Sequence, residues 1–226
     1  KNDAAFENAF TKWHKSESEK ATPWKALRPT AMKSNLPKLE VMDDDSIYSS
    51  GDVTKRDVFD LNFTSDQTIT ALRLEVLTDD RLPGQGPGRC YYEGRKGTFF
   101  LSEVDLKKSN GSKVKFAKPT ATSGNGADKV IDDVGSSGWS SGIGQDHHLI
   151  LPLADPLPAN TPFSIELLFE RHFVASLGRF RISATSSTNQ PRVSKIGVEA
   201  EHILSLKNTA KPQNLSALRS IYLEKV

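Results

Sequence analysis

The spacing of the short apolar runs narrows the fold more than any other feature of this sequence. Trp24-Lys-Ala-Leu, Lys38-Leu-Glu-Val-Met, Ser46-Ile-Tyr, Val58-Phe-Asp-Leu-Asn-Phe and Ile69-Thr-Ala-Leu-Arg-Leu-Glu-Val-Leu follow one another from Pro23 onward. Turn-forming clusters such as Asp43-Asp-Asp, Ser50-Gly-Asp and Thr64-Ser-Asp separate them. Runs this short suit strands, and a turn signal every ten or so residues folds the chain back on itself, so the pattern predicts an antiparallel sandwich or barrel. In the run from Ile69, Leu72, Leu74 and Val76 share one face and Arg73 and Glu75 the other. Thr98-Phe-Phe-Leu-Ser-Glu-Val-Asp-Leu, His148-Leu-Ile-Leu-Pro-Leu, Phe163-Ser-Ile-Glu-Leu-Leu-Phe-Glu and Leu177-Gly-Arg-Phe-Arg-Ile-Ser-Ala-Thr continue the strand series. A basic, small-residue stretch from Lys107 to Gly126 reads as a link.

The two ends read differently. Phe6, Phe10 and Trp13 fall at helical spacing over residues 3–19, an amphipathic helix whose aromatic stripe must dock on the domain body or on another domain. Ser186 to Ser194 reads as a linker. Ile203, Leu204 and Leu206, then Leu215, Leu218, Ile221 and Tyr222, mark a second helical region broken at Lys211-Pro212. The expected organisation is an N-terminal helix over residues 1–21, a mainly β sandwich over 22–187, and a linker with C-terminal helices over 188–226.

Charge and cysteine content exclude several classes. Thirty basic and twenty-eight acidic residues leave a net charge of +2, which is no footprint for nucleic acid. No apolar run approaches the ~20 residues a membrane span needs. A lone cysteine, Cys90, forbids an internal disulfide, which fits a reducing compartment or a well-cored periplasmic domain. Lys1 opens onto helix-like sequence with no leader, as in a fragment or mature product.

Three stretches carry candidate chemistry. Ala127-Asp-Lys-Val-Ile-Asp-Asp-Val-Gly-Ser-Ser-Gly-Trp reads as the end of an apolar strand, an acidic turn and a return to a tryptophan that can pin the turn onto a core. Oxygen ligands on such a turn suit calcium; a solvated Asp-Asp turn is the plainer reading. Asp79 to Gly97 is a long Gly- and Pro-rich loop, and loops of that length are commonly functional or mobile. Within it, Arg89, Tyr91, Tyr92, Arg95 and Lys96 offer aromatic faces and cations for a sugar, and a second glycine-rich loop with Gln145, Asp146 and His147 can lie at the same end. The alternative is a buried tyrosine among solvated charges. Arg179 can line a concave sheet face, or pair with Glu166 or Glu170 on a neighbouring strand. No catalytic signature stands out. G-x-S-x-G is missing, His147-His148 and His172 lack zinc spacing, and a glycosidase needs two carboxyl groups across one cleft, which sequence cannot pair.

The runs I-T-A-L-R-L-E-V-L-T-D-D-R-L-P-G-Q-G-P-G-R, G-T-F-F-L-S-E-V and L-G-R-F-R-I-S-A-T resemble a module of large planctomycete surface or periplasmic proteins, over roughly residues 5–225. There it accompanies cytochrome-c-like domains; a haem-attaching C-x-x-C-H is not found in this chain. Within the module, A-D-K-V-I-D-D-V-G-S-S-G-W resembles the A-x-N-A-x-D-G-D-x-x-T-x-W turn of discoidin-like, galactose-binding-like jelly-roll sandwiches, which wraps a structural calcium. The resemblance puts Asp132 in the Asp place, Ser137 in the Thr place, and Lys129 and Val134 where main-chain carbonyls are offered. Leu101-Ser102-Glu103 takes the place of the family's closing L-S-E strand, which here precedes the turn, implying a circular permutation that still brings Glu103 beside Asp132. Asp133 stands where the family has a glycine, and Val134 where it has an Asp. The implied protein is an exported, periplasmic or cell-surface, non-catalytic carbohydrate-binding module, holding a neutral or anionic polysaccharide for neighbouring domains of a larger parent chain. The alternative is a structural or protein-interaction module organising those domains.

Overall fold

The computed structural model describes residues 3–171, 173–189, 191–194, 196–206 and 211–225. Its strands are β1 (Lys25–Ala26), β2 (Ala31–Ser34), β3 (Lys38–Val41), β4 (Ile47–Ser50), β5 (Asp57–Phe63), β6 (Ile69–Val76), β7 (Glu103–Lys108), β8 (Thr120–Ala121), β9 (His147–Leu157), β10 (Phe163–Phe169) and β11 (Arg179–Thr185). One antiparallel sheet runs β3-β4-β11-β6-β9-β8, with β1 also paired to β11; the other runs β2-β5-β10-β7. The chain passes back and forth between the sheets, as in a jelly roll.

The period-two pattern explains the layering. Phe59, Leu61 and Phe63 on β5 and Phe163, Ile165, Leu167 and Phe169 on β10 face Leu72, Leu74 and Val76 on β6 and Leu149 and Leu151 on β9, and all are buried in one core. Phe59 packs on Phe169 and Phe180 at ring separations of 5.0 and 5.8 Å. The register Phe180↔Val76 and Ile182↔Leu74 keeps the apolar side chains of β11 and β6 on the same face. Arg73 and Glu75 lie on the opposite face, as alternation requires, and are buried as well.

Three sequence expectations need correction. Thr98–Ser102 is not regular strand: it is held by isolated contacts such as Phe100 N–H to Ala175 O, and the ladder begins at Glu103. The basic link contains β8, paired to β9 through Thr120↔Ile150 and Ala121↔Leu149. Residues 127–131 form a turn of 3-10 helix instead of a strand end, because Gly126 enters with a left-handed φ of 87° and its carbonyl accepts the Lys129 N–H.

The helices form a separate unit from the two chain ends: residues up to Trp24 with those from Ser194 onward. It contains α1 (Asp3–Lys20), α2 (Val198–Ser205) and α3 (Pro212–Lys225). Pro212 sits at the first position of α3, where its missing N–H costs nothing. The aromatic stripe of α1 docks here: Phe10 is buried with Ala200, Ile203, Leu204 and Leu218, and Phe6, Trp13 and Tyr222 pack against them. Arg219 pairs with Glu7 at 2.8 Å. The presumed linker's residue 190 and residues 207–210 fall outside the described residues. No described helix is long and apolar enough to cross a membrane.

Candidate functional site

The acidic turn is built around Trp139, which is fully buried. Its ring packs edge-on against Phe99 at 5.1 Å, and its Nε1–H donates to Ser123 O at 2.8 Å. A reciprocal bridge, Leu101 N–H to Trp139 O and Trp139 N–H to Leu101 O, ties the return of the turn to the segment entering β7. That bridge carries Glu103 to the turn: Glu103 Oε1 accepts the Val134 N–H at 2.7 Å. Asp132 Oδ1 accepts the same N–H at 3.1 Å, and both Asp132 oxygens accept from Ser137 Oγ at 2.9 Å. Asp133 adopts φ 57°, the left-handed conformation that a glycine would take without strain.

The electrostatics of this pair favour a cation. Burial first, and then the adjacent Asp132 carboxylate, push Glu103 up to about 7. Desolvation also works against the Asp132 charge, but hydrogen bonds from Ser137 and the Val134 backbone outweigh it and hold Asp132 below the usual carboxylate range. Lys129 Nζ approaches Asp132 Oδ2 at 3.6 Å, from an exposed position. Two carboxyl groups, the Ser137 hydroxyl and the Val134 carbonyl that it also approaches at 2.9 Å are oxygens of the hard type that calcium takes, whereas Lys129 is seen to bring its ammonium to Asp132. Among the described residues no group of three or more His, Cys, Asp or Glu side chains converges as a metal site, so the carbonyls and hydroxyl have to supply the rest of the coordination.

The loop from Asp79 to Gly97 is pinned instead of loose. Gly88 N–H donates to Gly97 O, Gly97 N–H to Cys90 O, Arg89 N–H to Ser176 O, and Gly178 N–H to Pro87 O. Cys90 is fully buried beneath it. The close approach requires glycine: a Cβ on Gly88 would lie 1.9 Å from Thr98 O. The Phe173 N–H donates to Glu93 Oε2 at 2.9 Å, joining the loop to the segment before β11.

This rigid loop presents Tyr91 and Tyr92 at 55% and 75% exposure. Tyr91 and Arg89 line a groove of about 580 Å³ together with Tyr48, Arg81, Phe173 and Val174. Arg89 donates to Ser49 Oγ at 3.3 Å and to the carbonyls of Gly51 and Asp52; burial pushes its pKa down against the pull of Asp57 and Asp52. The Arg81 guanidinium lies 3.9 Å above the Tyr48 ring and is clamped by Asp79 through Nε at 2.7 Å and Nη2 at 2.7 Å. That clamp, against a smaller desolvation cost, holds Asp79 down at about 2. Val174 is buried on the groove wall with φ 59°, a costly conformation for a β-branched residue and of the kind that clusters at ligand sites.

The remaining sequence candidates scatter. Tyr92, Arg95 and Lys96 are exposed on the loop but do not line the groove. His147 is 5% exposed, facing inward beside Thr122, because its register partner Val76 belongs to the core face. Arg179 pairs with Asp44 at 2.9 Å and Asp79 at 3.4 Å, and Arg181 with Glu75 at 3.0 Å. The expected partners Glu166 and Glu170 belong to the other sheet's strand and its end, so β11 never neighbours them. His172 lies outside the described residues. Tyr48, Arg81 and Phe173 were not singled out from sequence; they come from three separate segments and meet only through the fold.

No protein-family model matches this chain, and none of the curated proteins does. Among solved structures it is similar to the native family 35 carbohydrate binding module from Clostridium thermocellum, at 8% identity and a TM-score of 0.33, covering 70% of this chain and 96% of that one. It is also similar to the catalytic domain of a GH87 alpha-1,3-glucanase in complex with nigerose, at 12% identity and a TM-score of 0.33, where it spans 35% of that chain and 86% of its own length is covered. A third is the family 3a carbohydrate binding module from the cipA scaffolding of Clostridium thermocellum, at 13% identity and a TM-score of 0.23, covering 73% of this chain and 87% of that one. Likeness at this distance assigns no side chain of this protein to a relative's site.

Proposed function

We propose that this chain is a non-catalytic carbohydrate-binding module that holds a polysaccharide in the groove between Tyr91, Tyr48, Arg81 and Arg89. The observation that carries the reading is the combination of an exposed tyrosine ring with guanidinium groups along one open, rigidly framed groove. Ligand clefts join apolar and aromatic surface to a few fixed polar groups; a pyranose needs both, a flat face for its C–H side and directed donors for its hydroxyls. A single carboxylate, Asp52, is found among the described lining residues, whereas glycoside hydrolysis uses a pair. Glu103, Asp132, Ser137 and the carbonyls of Lys129 and Val134 would hold a structural Ca²⁺ away from this groove. In this reading the protein is exported and serves a larger periplasmic or cell-surface chain. The stripe of α1 packs within the helical unit, with Phe10 buried and Phe6 and Trp13 partly so.

The test is affinity electrophoresis of the protein through gels containing hydroxyethyl-cellulose, xylan, laminarin, polygalacturonate, alginate or carrageenan, with calcium and with chelator. Retardation by at least one polysaccharide is expected, and Tyr91→Ala should abolish it while the far-UV spectrum stays unchanged. Folded protein that migrates freely in every gel would overturn the assignment.

A further inference from the structure

Arg81 belongs to two cavities. Beyond the tyrosine groove it also lines a second one of about 490 Å³, with Thr78, Asp80, Gly84, Gln85 and Arg179. The Asp79 clamp and the Tyr48 ring fix the guanidinium in place, so the shared wall is rigid. The two cavities differ in chemistry: one carries Tyr48, Tyr91 and Phe173, the other no aromatic residue among the described ones.

Gln85 is the unusual residue of the second cavity. Gly84 and Gln85 have φ of 58° and 54°, and the Gly86 N–H donates to Pro83 O at 3.3 Å, the features of a tight type I′ turn. Glycine, asparagine and aspartate dominate the central positions of such turns because longer side chains are strained there. Here an exposed glutamine takes the second position; its backbone N–H donates to Leu82 O at 3.0 Å, and its side-chain carboxamide is open to the cavity. A non-glycine residue held at positive φ on a cavity wall is of the kind that clusters at ligand sites. A carboxamide both donates and accepts, which matches a sugar hydroxyl.

We infer that the binding site runs over Arg81 into this second cavity, so that a glycan chain spans two adjoining subsites and Gln85 reads a hydroxyl in the second. The inference rests on the carbohydrate-binding reading above. It assigns this protein a preference for polysaccharide chains over short fragments, and makes Gln85 a specificity-determining residue.

The probes are di- and pentasaccharides prepared from whichever polysaccharide of the gel panel retards the protein most, titrated calorimetrically. The pentasaccharide should bind about tenfold more tightly than the disaccharide, the gain expected from a few added hydrogen bonds. Gln85→Gly accepts the positive φ without strain, so the variant should stay folded by far-UV circular dichroism and lose most of that tenfold gain. Equal affinities for the two lengths, or a Gln85→Gly variant that keeps the full gain, overturn the second subsite while the Tyr91 groove stands. Failure of every polysaccharide to retard the protein overturns both.

Discussion

Asp132 and His148 show how single side chains report on their surroundings. Asp132 accepts from Ser137 and from the Val134 N–H, which it shares with Glu103. Calcium at a hundredfold its Kd would stabilise the fold by about 2.7 kcal/mol. Asp132→Ala should lose that gain, yet in chelator it should cost only the hydrogen bonds, about 1 kcal/mol. Thermal melts of both proteins with and without calcium make the comparison; equal losses in the two buffers would remove the metal. His148 is 2% exposed, with neither ring nitrogen hydrogen-bonded among the described residues. Burial, then Arg73, push it down to about 4, with His147 acting in the same sense and Glu75 and Asp146 in the opposite one. Because the folded value lies below the ordinary 6.5, the neutral ring's stabilisation is fully present above pH 6.5 and is lost as pH falls toward 4. The melting temperature should drop across that window, and His148→Phe should flatten the drop; an unchanged slope in the variant would place the titrating group elsewhere.

At the scale of elements, the loop from Asp79 to Gly97 matters because it is fixed. Its long, glycine-rich sequence is compatible with mobility, but the glycines serve backbone contact: Gly88 packs against Thr98 O and Gly97 against Pro83 O. A pre-formed loop spares the ordering cost that a mobile one would pay on binding. Gly88→Ala would drive a methyl into a carbonyl and should cost about 1–3 kcal/mol, the range for overpacking. The expected result is a lower melting temperature together with lost polysaccharide retention. Stability and retention both at wild-type level would show that the loop does not depend on this contact.

Across the whole molecule, the sandwich and the helical unit each have their own core. Leu218 is fully buried between Phe10, Leu204 and their neighbours. Leu218→Ala should weaken that unit by about 2–5 kcal/mol, as large-to-small core changes do. Since both ends of the chain share this core, hydrogen exchange should speed up in α1 and α3 together. Faster exchange confined to α3 would show that α1 is held by other contacts.

The sequence by itself determined the sandwich. Period-two alternation in Val58–Phe63, Ile69–Val76 and Phe163–Phe169 states which side chains face the core; burial alternates with it in the first and last of these, while the central strand from Ile69 is buried on both faces. It also determined the flanking helices and the break before Pro212, because helical spacing and proline act locally. The meeting of Glu103 with the acidic turn was legible through resemblance, since the motif carries its own long-range pairing. Tertiary structure alone decided the rest. β8 is two residues long and exists because β9 offers it an edge. His147 turned inward because strand register, which no local signal encodes, sets it opposite Val76. The groove joins Tyr48, Arg81, Tyr91 and Phe173 from three separate segments. Alternation fixes the face on which a side chain lies, while its neighbours across the sheet or loop depend on pairing between distant parts of the chain.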